Sequence, residues 1–193
     1  NIADNRSDSS RWIETRKQQL VSLSGLERWN EALSSYRELQ QATKDSTFKI
    51  ESAIDSVLLG YFLIQAGESR EALNILNAEL PQSEKLVGKQ NLMTGLQYGL
   101  IAAAQYSDSN TESAKANFEL AREVIMSPST LTEDFVEDAL HKRIKHFILE
   151  KSIQFLTSEG KTDAKIADLL FRIADQINSS SVQNALNDAA TRL

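Results

Sequence analysis

The stretch LLGYFLIQAGESREALNIL, residues 58–76, decides the fold. Up to Gln65 it is apolar on almost every side, Gly67 supplies a tight turn, and from Ser69 onward Ala72, Leu73, Ile75 and Leu76 gather on one face. This is the order of a helical hairpin whose first arm is central and whose second arm is amphipathic. Within the second arm a small residue, Ala72, precedes a large one, Leu76, by one helical turn. The same skeleton occurs at Ala32 with Tyr36 and at Ala114 with Phe118, and Ala72 stands 40 residues after Ala32 and 42 before Ala114. A period of that length marks a repeat architecture of stacked helix pairs, which form a curved wall suited to a partner and supply no reactive group of their own.

The totals agree with helix throughout. Hydrophobic residues are 41% and charged residues 25% of 193, ordinary for a globular protein and too apolar for a disordered one. A single domain of this size buries roughly 70% of its unfolded surface. Seven glycines and two prolines leave little turn chemistry for a many-stranded sheet. The net charge of −6 is opposite in sign to a phosphate-binding footprint, which argues against nucleic acid. The absence of cysteine excludes disulfides, thiolate catalysis and cysteine-based zinc sites without fixing a compartment. The longest apolar run, Val57 to Ile64, is far below the roughly 20 residues that span a bilayer. A soluble domain is expected. Because the chain opens at Asn1 without an initiator Met or a signal-like stretch, the reading also expects an upstream segment, with a membrane or cell-envelope tether as one form of it.

Nine helices follow from periodicity and punctuation. Ser9 and Ser10 cap a first, ending near Gly25, and the second carries Leu26, Trp29, Leu33, Tyr36 and Leu39 on one face. The third spans about 47–66, with Phe48, Ile50 and Ile54 added to the apolar run, and should be central. The fourth runs from Glu68 to Leu80, where Pro81 stops it. The fifth, about 82–106, bears Leu86, Leu92, Leu96, Leu100 and Ile101, and its Gly95, Gly99, Ala102 and Ala103 let another backbone come close. Ser109 with Glu112 and Thr130 with Glu133 read as capping boxes opening the sixth and seventh helices, the latter long and ending at Gly160. The eighth, about 162–177, places Ile166, Ala167, Leu170, Phe171, Ala174 and Ile177 on one side. Ser179–Ser181 then break the chain before a short ninth helix through Val182, Leu186, Ala189 and Leu193. The organisation is one domain, with an N-terminal helix at 1–25, repeat hairpins at 26–177 and a capping helix at 181–193.

The spacing of Ala114, Phe118 and Ala121 resembles the second helix of a tetratricopeptide repeat, and Ala167, Phe171 and Ala174 show it again. Gly60 precedes Ala72, and Ala102 precedes Ala114, by 12 residues, matching the small residue where the first helix of such a repeat crosses the second; Leu59 and Ile101 fill the large position just before. The resemblance implies an all-α, right-handed stack of antiparallel helix hairpins, a tetratricopeptide-like α-solenoid. The departures are spacings longer than the family's 34 residues, 53 between Ala114 and Ala167, and Leu20 and Phe155 at the outer crossing positions. The family's carboxylate clamp of Lys, Arg and Asn is missing, since the corresponding stretches offer Val57, Tyr61, Gly99 and Ala103. Either the inner wall holds an apolar or amphipathic segment, or the seventh and later helices fill it. Filling is favoured, because an open apolar patch is a liability.

No catalytic constellation is present. His141 and His146, the two histidines, lie five residues apart on different faces of one helix, so they do not form an i, i+4 metal pair. Asp138 with His141 has the spacing of one half of a di-iron site, but the companion motif is absent and a surface histidine beside acids is the plainer reading. Lys142, Arg143, Lys145 and His146 could dock an acidic partner, although such a run is usually a solvated face. Trp29 belongs with the core residues Leu33 and Tyr36, whereas Trp12 fits either the core or an exposed anchor. The triplets beginning at Asn5 and Asn178 fit a glycosylation pattern too common to weigh. The expected function is a non-catalytic interaction or scaffold module that binds a protein or peptide, with Tyr61, Gln65, Gln97 and Tyr106 on the inner arms as partner-binding residues by fold analogy. The alternative is a sensor or carrier holding a small apolar ligand in the inner wall. No metal or cofactor is expected, and self-association through the terminal helices is open.

Overall fold

The computed structural model describes residues 2–43, 56–127, 139–160 and 163–190. Eight helices account for nearly all of them, with no strand among the described residues: α1 (Ile2–Gly25), α2 (Trp29–Thr43), α3 (Ser56–Gln65), α4 (Ser69–Leu86), α5 (Leu92–Ser107), α6 (Thr111–Ile125), α7 (Ala139–Ser158) and α8 (Ala164–Ala190).

Three of the turns are built alike. In the α1–α2, α3–α4 and α5–α6 connections the middle residue is left-handed, Glu27 at φ 58°, Gly67 at 85° and Ser109 at 62°. The next amide reaches back five residues to a carbonyl: Arg28 to Leu23, Glu68 to Leu63 and Asn110 to Gln105. These bonds satisfy carbonyls that a helix end leaves open. The repeated alanines follow at a fixed offset. The amides of Ala32, Ala72 and Ala114 donate to the carbonyls of Arg28, Glu68 and Asn110, and all three alanines are fully buried. The period read in the sequence is thus the period of these turns. Ser109 does not form the expected capping box; it occupies the left-handed position itself, and Asn110 precedes the helix without a side-chain cap.

Each helix packs on the next along the chain where both are described and joined by a short turn, and α2, α4 and α6 also touch α3, α5 and α7 respectively. In addition α3 meets α5 and α7, and α5 meets α7. The most enclosed element is α5, buried at every position from Thr94 to Ala104, rather than α3. Four neighbours crowd it because its small residues admit them. The close crossing expected at Gly60 is present, since a Cβ there would lie 2.8 Å from Leu76 Cδ1.

Four boundaries differ from the sequence reading. Ser9 and Ser10 lie inside α1 rather than at its start. Helix α4 continues through Pro81 to Leu86, because Pro81 and Asn77, the residue whose carbonyl loses its partner, are both exposed to water. The stop comes later, at Gly88 (φ 89°), whose carbonyl accepts from Thr94 Oγ1 at 2.8 Å, while Asn91 caps α5 by accepting from the Met93 amide at 2.9 Å. Ser179–Ser181 do not break α8, and the expected ninth helix is its continuation; Ser179 Oγ donates within the helix to the Gln176 carbonyl at 3.2 Å. The Thr130–Glu133 capping box, Asp138 and residues 47–55 of the third helix lie outside the described residues.

The packed face of α8 is only partly the expected one. Ile166, Leu169, Leu170, Ile173 and Ile177 meet the core, whereas Ala167 is exposed and Phe171 is 73% exposed. Asp163 caps this helix by accepting from the Ile166 amide at 2.9 Å. The triplet Ala167, Phe171, Ala174 therefore shares the spacing of Ala114, Phe118, Ala121 without its packing.

Tyr98 ties α5 to α4 by donating to Glu84 Oε1, and is 4% exposed. Burial first, then the hydrogen bond and charge of Glu84, push its phenol up from 10 to about 12. A raised folded-state value stabilises the fold fully below pH 10, and that contribution is lost as the pH rises through about 12. Denaturation midpoints between pH 9 and 12 should fall with this component, and Tyr98→Phe should flatten the decline. An unchanged profile in that variant would show that Tyr98 does not titrate late.

Candidate functional site

The main cavity of interest lies where the α1–α2 turn, α2, α3 and α7 meet. Its geometry starts with Arg143 on α7, whose Nη1 donates to the carbonyls of Ser24 at 3.0 Å and Gly25 at 3.4 Å. These are the open carbonyls of the α1 C-terminus, where a cation is favoured by the helix dipole. The contact fixes α7 against the first hairpin. Beneath it three rings interlock edge to face: Trp29, at the start of α2, lies 5.5 Å from Tyr61 on α3 at 82°, and Tyr61 lies 5.3 Å from Phe147 on α7 at 68°. Such T-shaped contacts are favoured by the ring quadrupoles.

The cavity encloses about 440 Å³. Trp29, Tyr61 and Phe147 supply its aromatic lining, Gln65 its amide, and Glu27, Glu150, Lys142, Arg143 and His146 its charged or titratable rim. Tyr61 is 3% exposed, and burial is the main cause that raises its phenol above the ordinary value of 10. A hydrogen bond with Gln65 and the charge of Arg143 pull the other way, while Glu27 and Glu150 add to the rise. The phenol is therefore neutral near pH 7, a hydroxyl and not an anion. Nothing in this set resembles a nucleophile with its base; the arrangement can bind, through ring faces, one amide and charges of both signs.

Of the four residues expected on the inner arms, Tyr61 and Gln65 come together here. Gln97 does not join them. It is 3% exposed, its Nε2 donates to Ser56 Oγ at 3.0 Å, and its Oε1 has no partner among the described residues. Tyr106 is also outside this cavity, half-buried, with its ring 5.5 Å from that of Phe155. The four residues thus do not make one surface, because a shared helical face does not place residues at the same height along the molecule. The inner faces of α3 and α5 are covered by α7.

The basic run on α7 was the signal that could have found this cavity. Lys142, Arg143 and His146 line it, whereas Lys145 is buried at 7% exposure, so the four are not one solvated face. His141, expected at the surface, is also buried, at 8%. Glu27 and Glu150 carried no signal in the sequence, since only the folded chain brings a turn residue beside α7. Trp29 is half-buried; it packs against the core and also lines the cavity.

A second cavity of about 330 Å³ separates α6 from α8 and is lined by Glu119, Arg122, Glu123, Met126, Leu169 and Arg172. Arg122 Nη1 donates to Ser152 Oγ at 2.7 Å, and burial lowers its guanidinium from the usual value against the opposing charge of Glu119. Among the described residues no group of three or more His, Asp or Glu could hold a metal ion, and no helix is long and apolar enough to cross a membrane. Comparisons with protein-family models, with curated proteins and with solved structures find no match.

Proposed function

We propose that this chain is a non-catalytic binding module, a tetratricopeptide-like stack of antiparallel helical hairpins that captures a protein or peptide. The shared turns, the buried alanine at one offset after each, and packing of each hairpin on the next support the stacked reading. The observation that carries the functional reading is the cavity between α2, α3 and α7, lined by three aromatic rings, one amide and a rim of both charges. Aromatic residues with arginine beside them are the side chains that most often anchor protein partners.

The alternative, a small apolar ligand held in the inner wall, has less support. Helix α7 covers that wall, and Ile148 sits so close to Gly99 that no ligand fits between α5 and α7 there. The test is selection of a random peptide library on the intact chain, followed by binding to a Gln65→Ala, Lys142→Ala variant. Selected peptides should lose about tenfold in affinity, near 1.4 kcal/mol. A library that yields no binders, or binders indifferent to both changes, would remove this reading.

A further inference from the structure

We propose that α8 pairs with α8 of a second copy of this chain, antiparallel, about a two-fold axis level with Ser180. The starting point is a helix whose apolar stripe changes sides. In its first half Ile166, Leu170, Ile173 and Ile177 meet the core, and α8 packs on α7. A break at Ser179–Ser181 would have let the following residues turn a new face toward that core. There is no break, and α8 continues to Ala190. At about 100° per residue, the helical period then puts Ser180, Ser181, Asn184 and Asp188 in line with the core-facing positions, whereas Val182, Ala185, Leu186 and Ala189 fall in line with Phe171. Phe171 is 73% exposed, and Ala164 and Ala167 on the same side are exposed as well. A stripe of apolar positions thus runs along α8 opposite the residues that meet the core. It is separate from the cavity between α2, α3 and α7, to which α8 contributes no residue.

The alternation of large and small residues along the stripe identifies the occupant. With the axis level with Ser180, residues equally far from 180 stand level: Phe171 with Ala189 of the second copy, and Ala174 with Leu186 of the second copy. Both layers set a large residue against a small one. Because the pairing is isologous, the same two layers recur on the other side of the axis, so one helix supplies both halves of the fit. Between them Asp175 stands level with Ala185, and Asn178 with Val182. A polar residue at such a position fixes the register at a cost in affinity. Like charges do not stand level anywhere along the paired helices, and Arg172 is tied to Asp168 of its own helix at 3.1 Å. The paired length, from about 170 to 190, is about 30 Å. One helix face of that length falls short of the roughly 1,600 Å² of a standard interface. The dimer is therefore reversible, and its copies separate on dilution.

The test is sedimentation of the full chain from micromolar to millimolar concentration. The mass should rise from monomer to dimer and stop there, because a two-fold pairing closes. Phe171→Asp should weaken association by about tenfold or more, while leaving the helical signal and the thermal midpoint in dilute solution unchanged. Register is read separately. The chain contains no cysteine, so introduced thiols report on it directly. An Ala174→Cys chain mixed with a Leu186→Cys chain should form a disulfide-linked mixed dimer under mild oxidation. Neither chain should do so alone to the same extent, because position 174 of one copy lies about 18 Å along the axis from position 174 of the other, beyond the roughly 7 Å that a disulfide spans between Cα atoms. A monomer at every concentration, species that grow past the dimer, association indifferent to Phe171→Asp, or equal cross-linking in the single-variant solutions would each overturn the proposal.

Discussion

Phe118→Ala should cost about 3–5 kcal/mol of stability, whereas Phe171→Ala should change it by no more than about 0.5 kcal/mol. The two phenylalanines hold the same place in the same sequence triplet, so the contrast isolates packing from pattern. Phe118 is fully buried, with its ring 5.4 Å from that of Phe155 on α7, and its removal leaves a cavity where α6 meets α7. Phe171 is 73% exposed. At about 2–4 °C per kcal/mol for a chain of this size, the first change should lower the thermal midpoint by about 6–20 °C and the second by a degree or two. A loss at Phe171 as large as that at Phe118 would mean that something covers α8, and a small loss at Phe118 would mean that α7 does not close on α6.

Gly99→Leu should destabilise by about 3 kcal/mol, at the upper end of what overpacking costs. Leucine is a good helix former, so propensity alone predicts a gain of nearly 1 kcal/mol over glycine. Sterics decide against it. A Cβ at position 99 would lie 2.4 Å from Ile148 Cγ2, 2.7 Å from Cδ1 and 2.9 Å from Cγ1. Cγ2 sits on the branching carbon, next to the backbone of α7, and cannot swing clear as the end of a flexible side chain would. Ile148→Ala in the same chain should recover part of the loss, with a coupling of about 0.5–3 kcal/mol in a double-mutant cycle on urea midpoints. Strict additivity would show that α5 and α7 do not touch at this pair.

The candidate cavity was legible only in pieces. Tyr61 and Gln65 are one helical turn apart on α3, so periodicity places them together, and both line the cavity. Gln97 and Tyr106 carried the same signal and went elsewhere, into a buried hydrogen bond and against Phe155. The basic run on α7 was visible as charge, but its division into cavity-lining and buried members depends on the rotation of α7 about its own axis. Glu27 is unreadable in advance: the first helix ends at Gly25 as expected, but the left-handed φ of 58° falls two residues later, on a glutamate.

Local chemistry, then, is what the sequence by itself determined. Helical propensity, the spacing of apolar residues and the few breakers identified the helical class, the hairpin turn at Gly67 and the alanine that follows each of the three matching turns. These follow from interactions within a few residues, which a short stretch carries wherever it is placed. The tertiary structure alone decided which face of α8 is buried, that α4 runs through Pro81 and α8 through three serines, and that α7 lies over α3 and α5. Each of those outcomes depends on what surrounds the segment once the chain is folded: the core that α8 meets, the solvent that reaches the Asn77 carbonyl, and the room that Gly99 leaves for Ile148.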